Sequence, residues 1–335
     1  MKFLFLTDTH ARGNSPRNRK DELLPSLVAK LREVARLAVE EKVDAFLHGG
    51  DFFDLPNPSL PVCWQVIAPL LETGLPIYAV AGNHDFYGHN PETLPRTVLG
   101  FLARLGVIRL LEPGERVYLE QAGVRVQLTG QHYHYDIDRR DPREDYAVNK
   151  VECDVAIHLV HGMLMDRPFM PGAACTVIDR VLETEADLTL AGHFHLGFPE
   201  VVREGRAFLN PGALVRLTNH PREIARRPGV VLVDLSAGRL TWRQVALQSA
   251  FTGEEVLDRS AVEEAAFRAG KLAGFIRSVR ESGDFKSVDI DGLIAEVASR
   301  QGLPDRVRER ALGLIAAVQE AMASRGPGRE RILDG

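Results

Sequence analysis

Asp8 and His10 stand two residues apart at the end of the apolar run Phe3–Leu6. In an extended chain residues i and i+2 point to the same side, so this carboxylate and this imidazole could close on one ion. A single Asp-x-His carries little, because the pattern arises by chance. The same arrangement, an apolar run ending at once in metal-type side chains, recurs at four later places. These supply Asp51 in His48-Gly-Gly-Asp51-Phe-Phe-Asp54, Asn83 and His84 in Gly82-Asn-His-Asp85, His161 before Gly162, and His193 with His195 in Gly192-His-Phe-His195. Imidazole mixed with carboxylate suits Mn²⁺, Fe²⁺ or Zn²⁺, whereas Mg²⁺ and Ca²⁺ sites are mostly oxygen. So many ligands exceed one tetrahedral ion and fit two ions about 3.5–4 Å apart that share a bridging carboxylate. Glycine beside nearly every one of them lets the backbone turn sharply and a substrate come close.

Side chains this scattered meet only if the chain brings its strand ends together. Phe3–Leu6, Val43–Leu47 and Leu75–Val80 read as strands, separated by an amphipathic helix over Glu22–Lys42 and a helix over Pro61–Thr73. Strand, helix, strand, helix, strand is the pattern of a parallel sheet, whose carboxyl edge gathers ligands into one crevice. Pro95–Leu105 reads as helix, and Arg116–Glu120 with Val124–Thr129 as a hairpin about Ala122-Gly123. A long polar loop, His132–Lys150, has the length of a functional or mobile segment. Asp154–Val160, Asp187–Leu190 and Arg206–Leu209 read as further strands, and Val230–Asp234 with Leu240–Ala246 as a last antiparallel pair. The expectation is an α/β fold, a two-sheet β-sandwich flanked by helices, with a C-terminal helical appendage. The boundaries expected are a catalytic domain over 1–248, a helical region over 249–325 and a tail over 326–335.

The 335 residues are 45% hydrophobic and 26% charged, with a formal net charge of −5, so polyanion binding would have to rest on local basic patches. Cys63, Cys153 and Cys175 lack CxxC spacing, which suits a reducing cytoplasm. The first residues are too short for a signal peptide, and no stretch reaches transmembrane length, so no membrane is expected.

Asp8-x-His10, Gly50-Asp51-x-x-Asp54, Gly82-Asn83-His84-Asp85, His161-Gly162 and Gly192-His193-x-His195, in this order, resemble the calcineurin-like metallophosphoesterase superfamily over residues 1 to about 212. The resemblance implies that Asp8, His10, Asp51 and His195 hold a first metal. It implies that Asp51 as bridge, Asn83, His161 and His193 hold a second, with His84 as the acid beside the leaving oxygen. Two divalent ions are implied, Mn²⁺ foremost, with Fe²⁺, Zn²⁺ or Mg²⁺ as alternatives. Asp54 and Asp85 would sit just behind the ligands, where a carboxylate orients a histidine. Within the superfamily the sequence is most similar to the DNA-repair exonuclease branch. The supports are the Arg-bearing loop after His10, the Gly-Asp-Phe-Phe-Asp form and Asn210-Pro-Gly-Ala-Leu-Val-Arg216. That branch implies DNA as substrate, a coiled-coil ATPase of the structural-maintenance type as partner and dimerisation through the early helices. It usually carries a capping domain, which here looks reduced, with only helices after Ala246.

Arg12, Arg17 and Arg19 follow the first ligands directly and Arg216 follows the last, positions from which they could hold flanking phosphates. His134 follows a strand end as the ligands do and could face the site. Phe52, Phe53, Phe86 and Tyr87 could stack on bases, though such residues more often wedge a loop against the core. His48, His132 and His158 default to structure. Two competing readings keep the motifs: a phosphodiesterase of a small nucleotide, and a non-catalytic scaffold. The scaffold is disfavoured because no ligand is missing.

Overall fold

Phe3, Leu4, Phe5 and Leu6 are all fully buried, so the first strand, β1 (Lys2–Leu6), has a core on each face. Alternation decides which residue enters which core. Phe3 and Phe5 join Leu47, Leu128, Ile157 and Leu190 between two sheets, while Leu4 and Leu6 join Phe46, Leu27 and Leu31 beneath the helices. Strands covered on both sides read as unbroken apolar runs, as this first strand does. The computed structural model describes residues 1–170, 172–236 and 239–260, and beyond these only 267, 270–271, 299, 302, 304–311 and 313–314. It divides into two compact units, Met1–Arg259 and Ser260–Gly335.

The first unit starts with β1, α1 (Leu23–Glu40), β2 (Ala45–His48), α2 (Leu60–Leu71), β3 (Ile77–Ala79), α3 (Val98–Arg104) and β4 (Arg109–Leu110). Next come β5 (Val117–Gln121), β6 (Val124–Gln131), α4 (Arg143–Tyr146), β7 (Val155–His161), and the short pair β8 (Leu164–Met165) and β9 (Thr176–Val177). The unit closes with β10 (Leu188–Gly192), β11 (Phe198–Arg203), β12 (Arg206–Asn210), α5 (Pro221–Ala225), β13 (Gly229–Ser236), β14 (Arg239–Ala246) and α6 (Gly253–Val256). One six-stranded sheet has the order β14-β13-β1-β2-β3-β4 and the other β11-β12-β10-β7-β6-β5. β1 through β4 run parallel in the first, as do β6, β7, β10 and β12 in the second, with antiparallel strands at the edges. The two-sheet sandwich flanked by helices is therefore the observed architecture.

Three departures from the sequence reading have physical causes. The segment read as one helix over Pro95–Leu105 starts as a 3₁₀ turn, Pro91–Arg96, and α3 begins only at Val98, capped by the Thr97 side chain on Gly100 N at 3.1 Å. The loop 132–150 is tethered rather than free: Tyr146 is wholly buried and its hydroxyl donates to Asp138 Oδ1 at 2.5 Å, while Asp145 takes both His134 and Arg140. β11 was hidden because it is an edge strand with five of its six residues exposed or half-exposed, so it carries no apolar run. The helical region expected after 249 lies almost wholly outside the described residues. α6 belongs to the first unit, where Val256 and Leu257 pack on Ile224. Among the described residues no helix is long and apolar enough to cross a membrane.

Candidate metal centre

The ligand-bearing loops all leave the carboxyl ends of parallel strands. Asp8 and His10 follow β1, Asp51 follows β2 and Asn83 follows β3, while His161 ends β7 and His193 and His195 follow β10. Both sheets thus contribute to one edge. The loops after β1 and β2 are zipped together, with Asp8 N, His10 N and Ala11 N donating to Gly50 O, Asp51 O and Phe52 O at 3.0, 3.0 and 3.1 Å. Asp8, His10, Asp51 and His193 all have positive φ, at 52, 41, 53 and 78°. For non-glycine residues that conformation costs about 1–3 kcal/mol each and is kept where the surroundings enforce it, typically at functional sites. Glycine is required at Gly82, where a Cβ would lie 2.1 Å from Asp51 Oδ1, and at Gly50, where it would lie 2.3 Å from His161 Nδ1.

Two half-sites meet at Asp51. The ligand atoms of Asp8, His10, Asp51 and His195 all lie within 4.8 Å of one another, and so do those of Asp51, His161 and His193. Asp51 Oδ2 is 3.5 Å from His10 Nε2 in one half and 3.4 Å from His161 Nε2 in the other. Asn83 Oδ1 adds itself to the second half, 3.3 Å from His161 Nε2 and 3.0 Å from His193 Nδ1. In the first half His10 Nε2 and His195 Nε2 are 2.9 Å apart. Outer contacts fix these groups: Thr7 Oγ1 donates to Asp8 Oδ2 at 2.6 Å, and His193 N donates to the same carboxylate. His161 Nδ1 lies 2.7 Å from Gly49 O, a bond it can make only as donor, which turns Nε2 inward toward Asp51 and Asn83.

The electrostatics call for cations. Burial alone would depress His10 and His161, yet Asp51 and Asp8, joined at His10 by Asp54, raise them to about 10 and about 9. His193 and His195 are pushed down to about 4, chiefly by burial. Burial also works to raise Asp8 and Asp51, but the surrounding imidazoles hold both well below the usual carboxylate range. The buried carboxylates thus favour positive charge in each half, and the mixed nitrogen and oxygen donors are of a kind that fits divalent ions.

His84 stands at the rim, half-buried, with its ring centroid 4.7 Å from that of His10. Its Nδ1 lies 3.0 Å from Asp54 O, which leaves Nε2 as the remaining polar atom, and its backbone N donates to Asp51 Oδ1 at 2.8 Å. Asp54 Oδ1 lies 3.6 Å from His10 Nδ1 and its other oxygen 2.9 Å from Arg12. Asp85 does not orient a histidine. Its carboxylate instead accepts from the amides of Phe52, Phe53 and Gly82, tying two motif loops together, and burial followed by the nearby Asp51 charge raises it to about 7.

The residues expected to contact substrate divide. Arg12 and Arg17 remain on the loop, half-exposed and exposed. Arg216 is buried at 3% exposure with its guanidinium spent on the carbonyls of Glu223, Arg226 and Phe251, so it cannot serve a phosphate. Arg19 is likewise taken up, paired with Asp21 and donating to Arg216 O. His134 Nε2 sits 2.7 Å from buried Asp145 and outside the ligand cluster, so it holds the loop rather than the site. Phe52, Phe53 and Phe86 are core residues, with Phe52 stacked 3.6 Å from the His48 ring, and only Tyr87 of the four aromatics is exposed. Tyr133, which no motif marks, has its ring centroid 5.8 Å from that of His193. Lys30 has one signal in the sequence, a lone lysine within the apolar stripe of α1.

Fold and site together are those of a two-sheet α/β protein with a cluster of candidate metal ligands at the shared carboxyl edge of its sheets. The family model described as calcineurin-like phosphoesterase matches residues 1–197, and the chain belongs to that family. Among curated relatives it is 23% identical over 252 residues to "DNA double-strand break repair protein Mre11" of Sulfolobus acidocaldarius, a match covering 70% of this chain and 61% of that protein. It is 26% identical over 260 residues to one of the subunits of the nuclease SbcCD of Bacillus subtilis, covering 65% of this chain and 63% of the relative. The chain thus spans somewhat under two thirds of each relative. A solved structure of a dimetal phosphatase from Danio rerio aligns over 73% of this chain and 96% of its own, at 13% identity and a TM-score of 0.47.

Proposed function

We propose that this chain is a two-metal phosphodiesterase acting on DNA, an exonuclease or endonuclease subunit working in the cytoplasm with a coiled-coil ATPase. The observation that carries the chemistry is Asp51 Oδ2, placed almost equally from an imidazole nitrogen of each half-site. DNA as substrate draws its support from relatives named as a DNA-break repair protein and a nuclease subunit. The ATPase and a homodimer rest on the resemblance to that branch.

In this reading Asp8, His10, Asp51 and His195 hold one ion, and Asp51, Asn83, His161 and His193 the other, with Mn²⁺ the first choice. Bound there, divalent cations supply charge neutralisation for the phosphate and acidify water at neutral pH. The chain's own work is orientation and proton handling. Gly49 O and Thr7 Oγ1 fix His161 and Asp8, and Asp54 O holds the His84 ring by Nδ1 so that Nε2 can give a proton to the departing oxygen. Arg17, exposed on the loop, is left as the phosphate contact there, while Arg12 is paired with Asp54 at 2.9 Å.

A small nucleotide phosphodiester is the second reading, favoured by one observation: two of the arginines expected to grip a polyanion, Arg19 and Arg216, are spent internally. Hydrolysis of single- and double-stranded DNA beside bis(p-nitrophenyl) phosphate, with Mn²⁺, separates the two. Cleavage of DNA is expected, and cutting of the small ester alone would refute the nuclease while leaving the metal chemistry standing.

A further inference from the structure

Residues 213–217 form no helix or strand, yet each of their five carbonyls accepts a hydrogen bond from a side chain elsewhere. Ala213 O takes Arg226 Nη1 at 2.6 Å, Leu214 O takes Lys30 Nζ at 3.1 Å, and Val215 O takes Arg226 Nη2. Arg216 O takes Arg19 Nη1 at 2.8 Å and Leu217 O takes Asn18 Nδ2 at 3.2 Å. Buried backbone normally finds its partners in secondary structure, and here three basic side chains and an amide replace it. The strap's own amides point the other way. Ala213 N donates to His195 O at 2.9 Å and Leu214 N to Thr7 O at 3.1 Å, so it grips the backbone of one first-half ligand and of the residue before another.

The anchors of the strap are themselves tied to the end of the first unit. Arg216 Nη1 reaches Phe251 O at 2.8 Å, Lys20 N reaches Val256 O at 2.9 Å and Asp258 N reaches Asn18 O at 2.7 Å, with an antiparallel bridge between Arg19 and Leu257. Hydrogen bonds from charged donors are about twice as strong as neutral ones, and a guanidinium spans several acceptors in a fixed plane, which a lysine cannot copy.

We propose that 213–217 is a positioning strap for the first half-site, and that Arg216, Arg19 and Asn18, together with the segment 251–258, set how firmly Asp8, His10 and His195 hold their ion. In the second half-site the side-chain contacts of Asn83 and His161 run to Gly49, to Asp51, to His193 and to each other rather than to the strap. The proposal rests on the two-cation reading and predicts an asymmetry that this reading alone does not.

Calorimetric titration of the full-length protein with Mn²⁺ tests it. The intact protein should show two binding steps. Arg216→Lys should weaken one of them about ten-fold, the size usual for loss of an outer support, and leave the other in place. Asn18→Ala, at the edge of the strap, should weaken the same step by less and decides the matter if Arg216→Lys does not fold. Unchanged steps in a folded variant, or an equal loss in both, would overturn the strap. An intact protein that binds fewer than two ions would instead overturn the two-cation reading, and the strap with it.

Discussion

Asp51 is the residue on which the centre turns, because one of its oxygens faces both half-sites while the other is occupied by the amide of His84. That amide bond also sets where His84 stands, so the proposed proton donor is placed by the bridging carboxylate itself. His84→Ala should lower turnover about 10²- to 10⁴-fold on a substrate with an alkoxide leaving group, and far less on a nitrophenyl ester, which leaves without a proton. Metal stoichiometry should stay the same. Steady-state kinetics on both substrates check this, and equal losses would remove His84 from the role of acid. At this scale the sequence was readable where order and spacing repeat: all seven expected ligands converge, as does His84. It was unreadable for Arg19, Arg216 and His134, because a basic or imidazole side chain near a motif can turn inward to a carbonyl or carboxylate as readily as outward to a phosphate.

Helix α1 shows how an element serves the site from behind. Its apolar stripe of Leu27, Leu31 and Val34 packs on the first sheet, and Lys30 enters the same buried face to reach Leu214 O. Burial first, then Arg19, Arg216 and Arg226, bring Lys30 down from 10.5 to about 7. The unfolded chain keeps this proton up to about pH 10.4. Between about pH 7 and 10 the unfolded state therefore binds more protons, and this residue makes stability rise with pH across that window. Lys30→Met should remove that slope, so the variant's deficit relative to the intact protein grows as pH rises from about 7 to 10, on top of the loss of the hydrogen bond to Leu214 O. Denaturant midpoints at pH 6.5 and 9.5 measure it, and parallel slopes in the two proteins would contradict the assignment. Elements with a clear pattern, the 3.6-residue period of α1 or the unbroken apolar run of β1, could be read from the chain. The edge strand β11 and the strap could not, since the first has too little burial to write a pattern and the second is held by side chains distant in sequence.

The whole molecule joins two sheets so that their carboxyl edges share one crevice, and neither sheet alone completes a half-site. The first half takes Asp8, His10 and Asp51 from one sheet and His195 from the other, while the second takes Asp51 and Asn83 from one and His161 and His193 from the other. The apolar core between the sheets, with Phe3, Phe5 and Leu47 against Leu128, Ile157 and Leu190, holds the two edges in register. The sandwich was legible because parallel strands buried on both faces leave long apolar runs. The division of ligands between halves was not, since it depends on which strand ends face each other. The central claim is that two cations share Asp51. Mn²⁺ titration of Asp51→Asn beside the intact protein tests it most directly. Two ions per chain in the intact protein, with both steps weakened together in the variant, is the predicted result; a single ion, or a variant that loses only one step, would contradict it.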